Sequence, residues 1–107
     1  MVSADDLRRL ALALPGTTEV AHFDRPAFRA RVIFAILAPD GRTANLGLSP
    51  EEQQFRCTLA PHALTPDNSA WGRKGWTRAT LAALDEAELA AALDAAWHRA
   101  TAKPARL

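Results

Sequence analysis

Apolar positions along the chain change their period several times, and each change predicts an element. Leu7, Leu10, Ala11 and Leu14 recur at helical spacing. Ser3, Asp5 and Asp6 precede them, residues that favour a helix N-terminus, and Pro15-Gly16 stops the pattern. A first helix is therefore expected from about Ala4 to Leu14. Thr17 to Arg25 is polar and without period, and reads as irregular chain. From Ala27 the period shortens to two: Phe28, Ala30 and Val32 alternate with Arg29, Arg31 and Ile33, the pattern of a strand with one cationic face. Val32 to Leu37 is a short apolar run suited to a buried strand. These pieces form either a hairpin turning near Arg31 or one bent strand.

Pro39-Asp40-Gly41-Arg42 is a turn, because Asp and Gly accept the backbone geometry that tight turns need. A strand follows from Thr43 to Leu48, with Ala44, Leu46 and Leu48 on one face. Ser49-Pro50-Glu51-Glu52 supplies a cap, a first-turn proline and acids in order, so a second helix is expected to about Leu59. Pro61, Pro66, Asp67 and Asn68 mark a loop. Gly75 to Leu81 reads as the last strand, entered through a turn bounded by Trp71 and Trp76. Asp85 opens a final helix whose apolar stripe is Leu89, Leu93, Ala96, Trp97 and Ala100. The tail from Lys103 to Leu107 reads as frayed. The economical architecture is α+β: a two-layer sandwich with a small antiparallel sheet and its helices on one face.

Composition narrows the class without naming a chemistry. The 107 residues fit one domain, and 49% hydrophobic and 23% charged residues are ordinary globular values. Cys57 is the single cysteine, which excludes an intrachain disulfide and a cysteine-based zinc cluster. The N-terminus lacks the basic start and apolar run of a signal peptide, and no apolar stretch approaches membrane-spanning length. A cytoplasmic protein with no membrane partner is the expectation. His22, His62 and His98 are far apart and form no metal-binding spacing. No phosphate loop is present, and capping explains the acids at the helix starts. No enzyme, metal or cofactor is expected from these residues.

The net charge is only +1, so its distribution matters more than its sum. Between His22 and Thr43 stand Arg25, Arg29, Arg31 and Arg42 against Asp24 and Asp40; between Trp71 and Thr80 stand Arg73, Lys74 and Arg78 with no acid. The predicted strands and turns thus carry an excess of five positive charges, seven minus two. If the helices cover one face, the opposite side is electropositive, as a phosphate backbone requires. The plainer alternative is a solvated sheet face, where cations also deter edge-to-edge aggregation. Trp71 and Trp76 bracket Arg73 and Lys74 between two glycines. At least one ring is expected in the core, and the other can lie exposed beside the cations.

Several segments together resemble the MmcQ/YjbR family of small bacterial proteins. They are Leu14-Pro15-Gly16-Thr17-Thr18-Glu19, His22-Phe23, Arg25-Pro26-Ala27-Phe28-Arg29, Ile33-Phe34-Ala35, Asn45-Leu46-Gly47-Leu48-Ser49-Pro50-Glu51 and Trp71-Gly72-Arg73-Lys74-Gly75-Trp76. Their order spans nearly the whole chain, as a single domain over 1–107. The resemblance implies a CyaY-like two-layer fold, likened to a double-wing DNA-binding module. Relatives often carry Gly or Lys where this chain has Arg31-Val32, so the first wing is either tighter or shifted in register. The expectation is a non-enzymatic protein that binds double-stranded DNA with low sequence specificity. Arg29, Arg31, Arg42, Arg73 and Lys74 would contact phosphates, and Trp71 would stack or wedge. The alternative is a small ligand-binding or protein-interaction domain with a pocket near Trp71, His22, Asn45 and Trp76. The oligomeric state is left open.

Overall fold

Capping sets the start of each helix. The Ser3 hydroxyl accepts the Asp6 amide and the Asp6 carboxylate accepts the Ser3 amide, opening α1 (Ala4–Leu12). Ser49 accepts the Glu52 amide at the head of α2 (Pro50–Leu59), and Asp85 and Glu88 repeat the reciprocal box at α3 (Glu86–Thr101). The computed structural model describes residues 1–102; the expected frayed tail lies outside the described residues. No described helix is long and apolar enough to cross a membrane.

Six strands form one fully antiparallel sheet: β1 (Thr18–His22), β2 (Arg25–Arg29), β3 (Ile33–Leu37), β4 (Thr43–Gly47), β5 (Leu64–Pro66) and β6 (Trp76–Thr80). Their spatial order is β1-β2-β3-β4-β6-β5. Register places Phe28, Ala35, Leu46 and Thr77 in one row, and Leu37, Ala44, Ala79 and Leu64 in a parallel one. These rows face α1 and α3 and pack with Leu7, Ala11, Leu89, Leu93 and Ala96 as the core. Full burial of side chains such as Phe28 and Leu46 stabilises the fold by about 1.5–3 kcal/mol each. The intervening row, Ala27, Ile36, Asn45, Arg78 and Thr65, lies on the opposite face. The helix α2 packs against β5 and β6 and buries none of its residues fully.

The structure differs from the sequence expectations at the sheet edges and turns. Thr18–His22 is a strand where irregular chain was expected; as an edge strand it is mostly exposed, which erases the alternation. Leu64–Pro66 is a three-residue strand at the other edge, where a proline costs no ladder bond. The first helix stops at Leu12 rather than Leu14. The chain turns between β2 and β3, so Arg31 sits in the turn and not on a strand face. Phe28 pairs with Ala35 but Arg29 pairs with Ile33, which leaves Phe34 as an extra residue. This bulge sends Phe34 into the core while Ile33 and Ile36 share the open face. Trp97 is packed against the core rather than within it, and its indole N–H donates to the Pro15 carbonyl at 2.9 Å.

One close approach fixes the site end of the sheet. Gly75 has φ 109°, and a Cβ there would overlap the Leu48 carbonyl oxygen. Gly16 also has positive φ, 71°, but faces open space. Substitution by alanine should therefore separate the two effects in thermal melts. Gly16→Ala is expected to cost about 1–2 kcal/mol from backbone conformation alone. Gly75→Ala adds overpacking and should cost about 2–5 kcal/mol.

Candidate functional site

The segment between the two tryptophans folds as a short 3-10 turn, Ala70–Lys74, capped by the Ser69 hydroxyl, which accepts the Trp71 amide. Its glycines are required by close packing: a Cβ at Gly72 would overlap the Asp67 backbone. The Trp76 ring lies over Gly47, with ring carbons 3.2 Å from where a Cβ would stand. The Gln53 amide on α2 donates to the carbonyls of Gly72 and Trp76, each at 2.9 Å. From α3, Arg99 donates to the carbonyls of Leu48 and Lys74. The turn is therefore held from three sides. Trp76 is half-buried, whereas Trp71 remains 58% exposed with the Lys74 ammonium 4.7 Å from its ring centroid.

Beside this turn the open face of the sheet forms a groove of about 740 Å³. Ile33, Ile36 and Trp76 are among its apolar lining, and Asn45, Asp67 and Ser69 among its polar groups. The tip of the β1–β2 hairpin contributes His22, Phe23, Asp24 and Arg25. The four residues of the alternative pocket, His22, Asn45, Trp71 and Trp76, thus line one cavity. Phe23 is the surprise. It is the one non-glycine with positive φ, 57°, among the described residues, and the residue is 89% exposed while its ring meets His22 edge-on at 4.9 Å.

Asp67 is fixed as an anion. Its carboxylate accepts the Ser69 hydroxyl and, more weakly, the Ser69 and Asn68 amides, and Arg78 adds an attractive charge; together these outweigh partial burial and lower its pKa from 3.8. Cys57 on α2 behaves as a packed thiol, its pKa pushed up by burial. His98 lies on α3 with Asp94 at 3.3 Å, and His62 is exposed elsewhere. Among the described residues no group of three or more metal-binding side chains assembles.

The expected cations fall at two places. Arg29 ends β2, Arg31 sits in the next turn and donates to the Ala102 carbonyl at 3.4 Å, and Arg73 and Lys74 lie on the 3-10 turn. With Arg99 they occupy the end of the sheet marked by Ile33, Gly47 and Trp76. Arg42 does not join them. It lies at the opposite end, in the β3–β4 turn, where its carbonyl accepts the Leu81 amide at 3.1 Å. The capping acids of α1 and α3 lie towards that opposite end too, because Val2 and Gly41 meet Leu81 and Ala4 there. Arg8, Arg9 and Arg56 on the helices have carboxylate partners. Among the described residues, the ion pairs use none of Arg29, Arg73 and Lys74. Arg99 and Phe23 escaped sequence reasoning: Arg99 belongs to a helical pattern, and an exposed Phe beside His carries no spacing signal.

Fold and groove together define a two-layer α+β domain with one covered and one open sheet face. The chain belongs to the YjbR family, whose profile matches residues 12–99. Its fold is similar to the crystal structure of a Deinococcus radiodurans protein of the domain family DUF419, with a TM-score of 0.78 and 23% sequence identity. The likeness covers 96% of this chain and 81% of the other. No curated protein matches the sequence.

The Asp67 arrangement predicts a titration. Followed by NMR at its side-chain carboxyl, Asp67 should titrate below 3.8, and Ser69→Ala should move the midpoint upward. Because the folded pKa is lowered, its contribution to stability is present above the unfolded value and fades as pH falls through the folded one.

Proposed function

We propose that this protein is a non-enzymatic DNA-binding domain that grips the phosphate backbone with its basic end. The observation that carries the reading is the gathering of Arg29, Arg31, Arg73, Lys74 and Arg99 at one end of the sheet, away from the capping acids of α1 and α3, with Glu51 and Glu52 of α2 as the acids nearest them. A dipolar charge layout of this kind steers a polyanion to one surface even when net charge is small. Arg31 and Arg99 spend donors on backbone carbonyls, which leaves Arg29, Arg73 and Lys74 as the freest contacts. Trp71, already beside Lys74, supplies a stacking surface. Contacts of this type position a backbone without reading sequence, so low specificity follows. Arg42, on the opposite end, has no part in the interface.

A second reading is favoured by the groove itself, whose apolar and aromatic lining with a few polar groups suits a small planar ligand. Salt separates the two readings. For backbone binding through three cations, DNA affinity should fall roughly ten- to fiftyfold between about 50 and 200 mM salt. Arg73→Ala combined with Lys74→Ala should lower the slope of log K against log salt by about 2. Arg42→Ala should leave it unchanged. Absence of DNA binding at low salt would rule the backbone reading out.

A further inference from the structure

The open-face groove does not suit a phosphate backbone. Asp24 and Asp67 line it against Arg25, and Arg78 stands beside Asn45 on the same face, so the groove carries no excess of positive charge to hold a polyanion. Outside it, at the end of the sheet, stand Arg29, Arg73 and Lys74. Charge therefore sorts a nucleic acid into parts, with phosphates outside and an uncharged ring inside. The groove holds what such a ring needs. Trp71 and Phe23 both line it and both expose large aromatic faces. Asn45 offers a donor and an acceptor on one amide, and Asp67 offers an acceptor.

The backbone at Phe23 gives independent support. An aromatic residue at φ 57° is strained, since the left-handed region costs a side-chain-bearing residue about 1–2 kcal/mol. Glycine would relieve that strain, yet the position carries a phenyl ring that packs into nothing but the edge of His22. Strain retained at a rim with no folding gain marks a ligand contact.

We infer that the groove receives an unstacked nucleobase from a single strand whose phosphates lie on the basic end, with preference for bases bearing an exocyclic amino group. This rests on the backbone reading above and alters its strandedness. Trp71 and Phe23, on opposite sides of the groove, offer the stacking faces, and Asn45 and Asp67 offer partners for the amino group. Asparagine matches the adenine edge and a carboxylate accepts the cytosine amino group, whereas thymine presents no such donor. A paired base inside a duplex cannot enter.

The test uses the full chain and labelled strands of roughly twelve nucleotides, the upper part of the usual site-size range for such grooves. Strands of dA, dC and dT are compared with the dA–dT duplex, and adenosine monophosphate serves as a small probe. The dA and dC strands should bind at least about tenfold tighter than the duplex or the dT strand, consistent with one to a few kcal/mol per stacked base. Phe23→Gly should raise Tm by a few degrees while weakening single-strand binding about tenfold and leaving duplex binding unchanged. A merely structural Phe23 would not give opposite signs. Asn45→Ala should erase the advantage of dA over dT. Equal binding of strand and duplex, indifferent to Phe23→Gly and Asn45→Ala but lost in the Arg73→Ala, Lys74→Ala double variant, overturns the groove site and leaves the backbone reading standing. Adenosine monophosphate binding as tightly as the dA strand overturns the strand as the occupant. No binding of any strand or duplex at low salt overturns the backbone reading, and the groove inference with it.

Discussion

The approach of Gly75 to the Leu48 carbonyl is the contact on which the site depends. It lets the turn between the tryptophans lie flush against the end of β4, so that two distant segments of sequence become one surface. Any side chain at Gly75 would push that turn away and carry Trp71, Arg73 and Lys74 with it. The carbonyls exposed by so tight a junction are then satisfied by long side chains from elsewhere. Arg99 reaches Leu48 and Lys74 from α3, and Gln53 reaches Gly72 and Trp76 from α2. Buried or half-buried carbonyls need such partners, and charged donors make the stronger bonds. The same guanidinium that closes the junction also adds positive charge to it.

Helix capping explains where the acids of α1 and α3 lie. The helices α1 and α3 run the same way along the sheet: Arg9 meets Glu86 early in α3, and Pro15 meets Trp97 late in it. Both open with capping boxes built from acids, so their negative charge gathers where the N–H groups of the first turns are unpaired. Their other ends lie towards the basic end, where Arg31 meets the Ala102 carbonyl. Local helix stability thus places the acids of α1 and α3 far from Arg29, Arg73 and Lys74, while those of α2, Glu51 and Glu52, stay beside the turn.

Much of the fold was legible because strong local signals agreed with tertiary demands. Ser3, Ser49 and Asp85 each cap the helix expected from them, and Asp40-Gly41 makes the expected turn. The two edge strands were not legible, since β1 is exposed along most of its length and β5 is three residues with a proline. The bulge at Phe34 was also hidden: a continuous apolar run from Val32 to Leu37 carries no mark of which residue is extra. At the site, the alternative reading put a pocket near His22, Asn45, Trp71 and Trp76, and these four line one groove. Sequence order could not tell which cations converge. Arg31 and Arg42 look alike in sequence, yet one lies at the basic end and the other across the sheet. The difference is strand direction, which composition does not record.

Three unfavourable features converge on one side of the molecule. Cations without carboxylate partners raise the electrostatic energy of the basic end, whereas Arg8, Arg9 and Arg56 on the helices are paired. Trp71 and Phe23 leave large apolar faces in water when burial would have stabilised them. Phe23 does so from a strained backbone. Each departs from what folding alone would favour, and the covered face shows no counterpart: there the rows of Phe28, Leu46 and Ala44 pack without strain against capped helices. Departures scattered over a surface would need no common cause. Trp71, Phe23 and the strain at Phe23 border one groove, whereas the exposed Phe55 and Leu59 on α2 stand apart from it. The ligand proposed above would cover the first group and leave the second untouched.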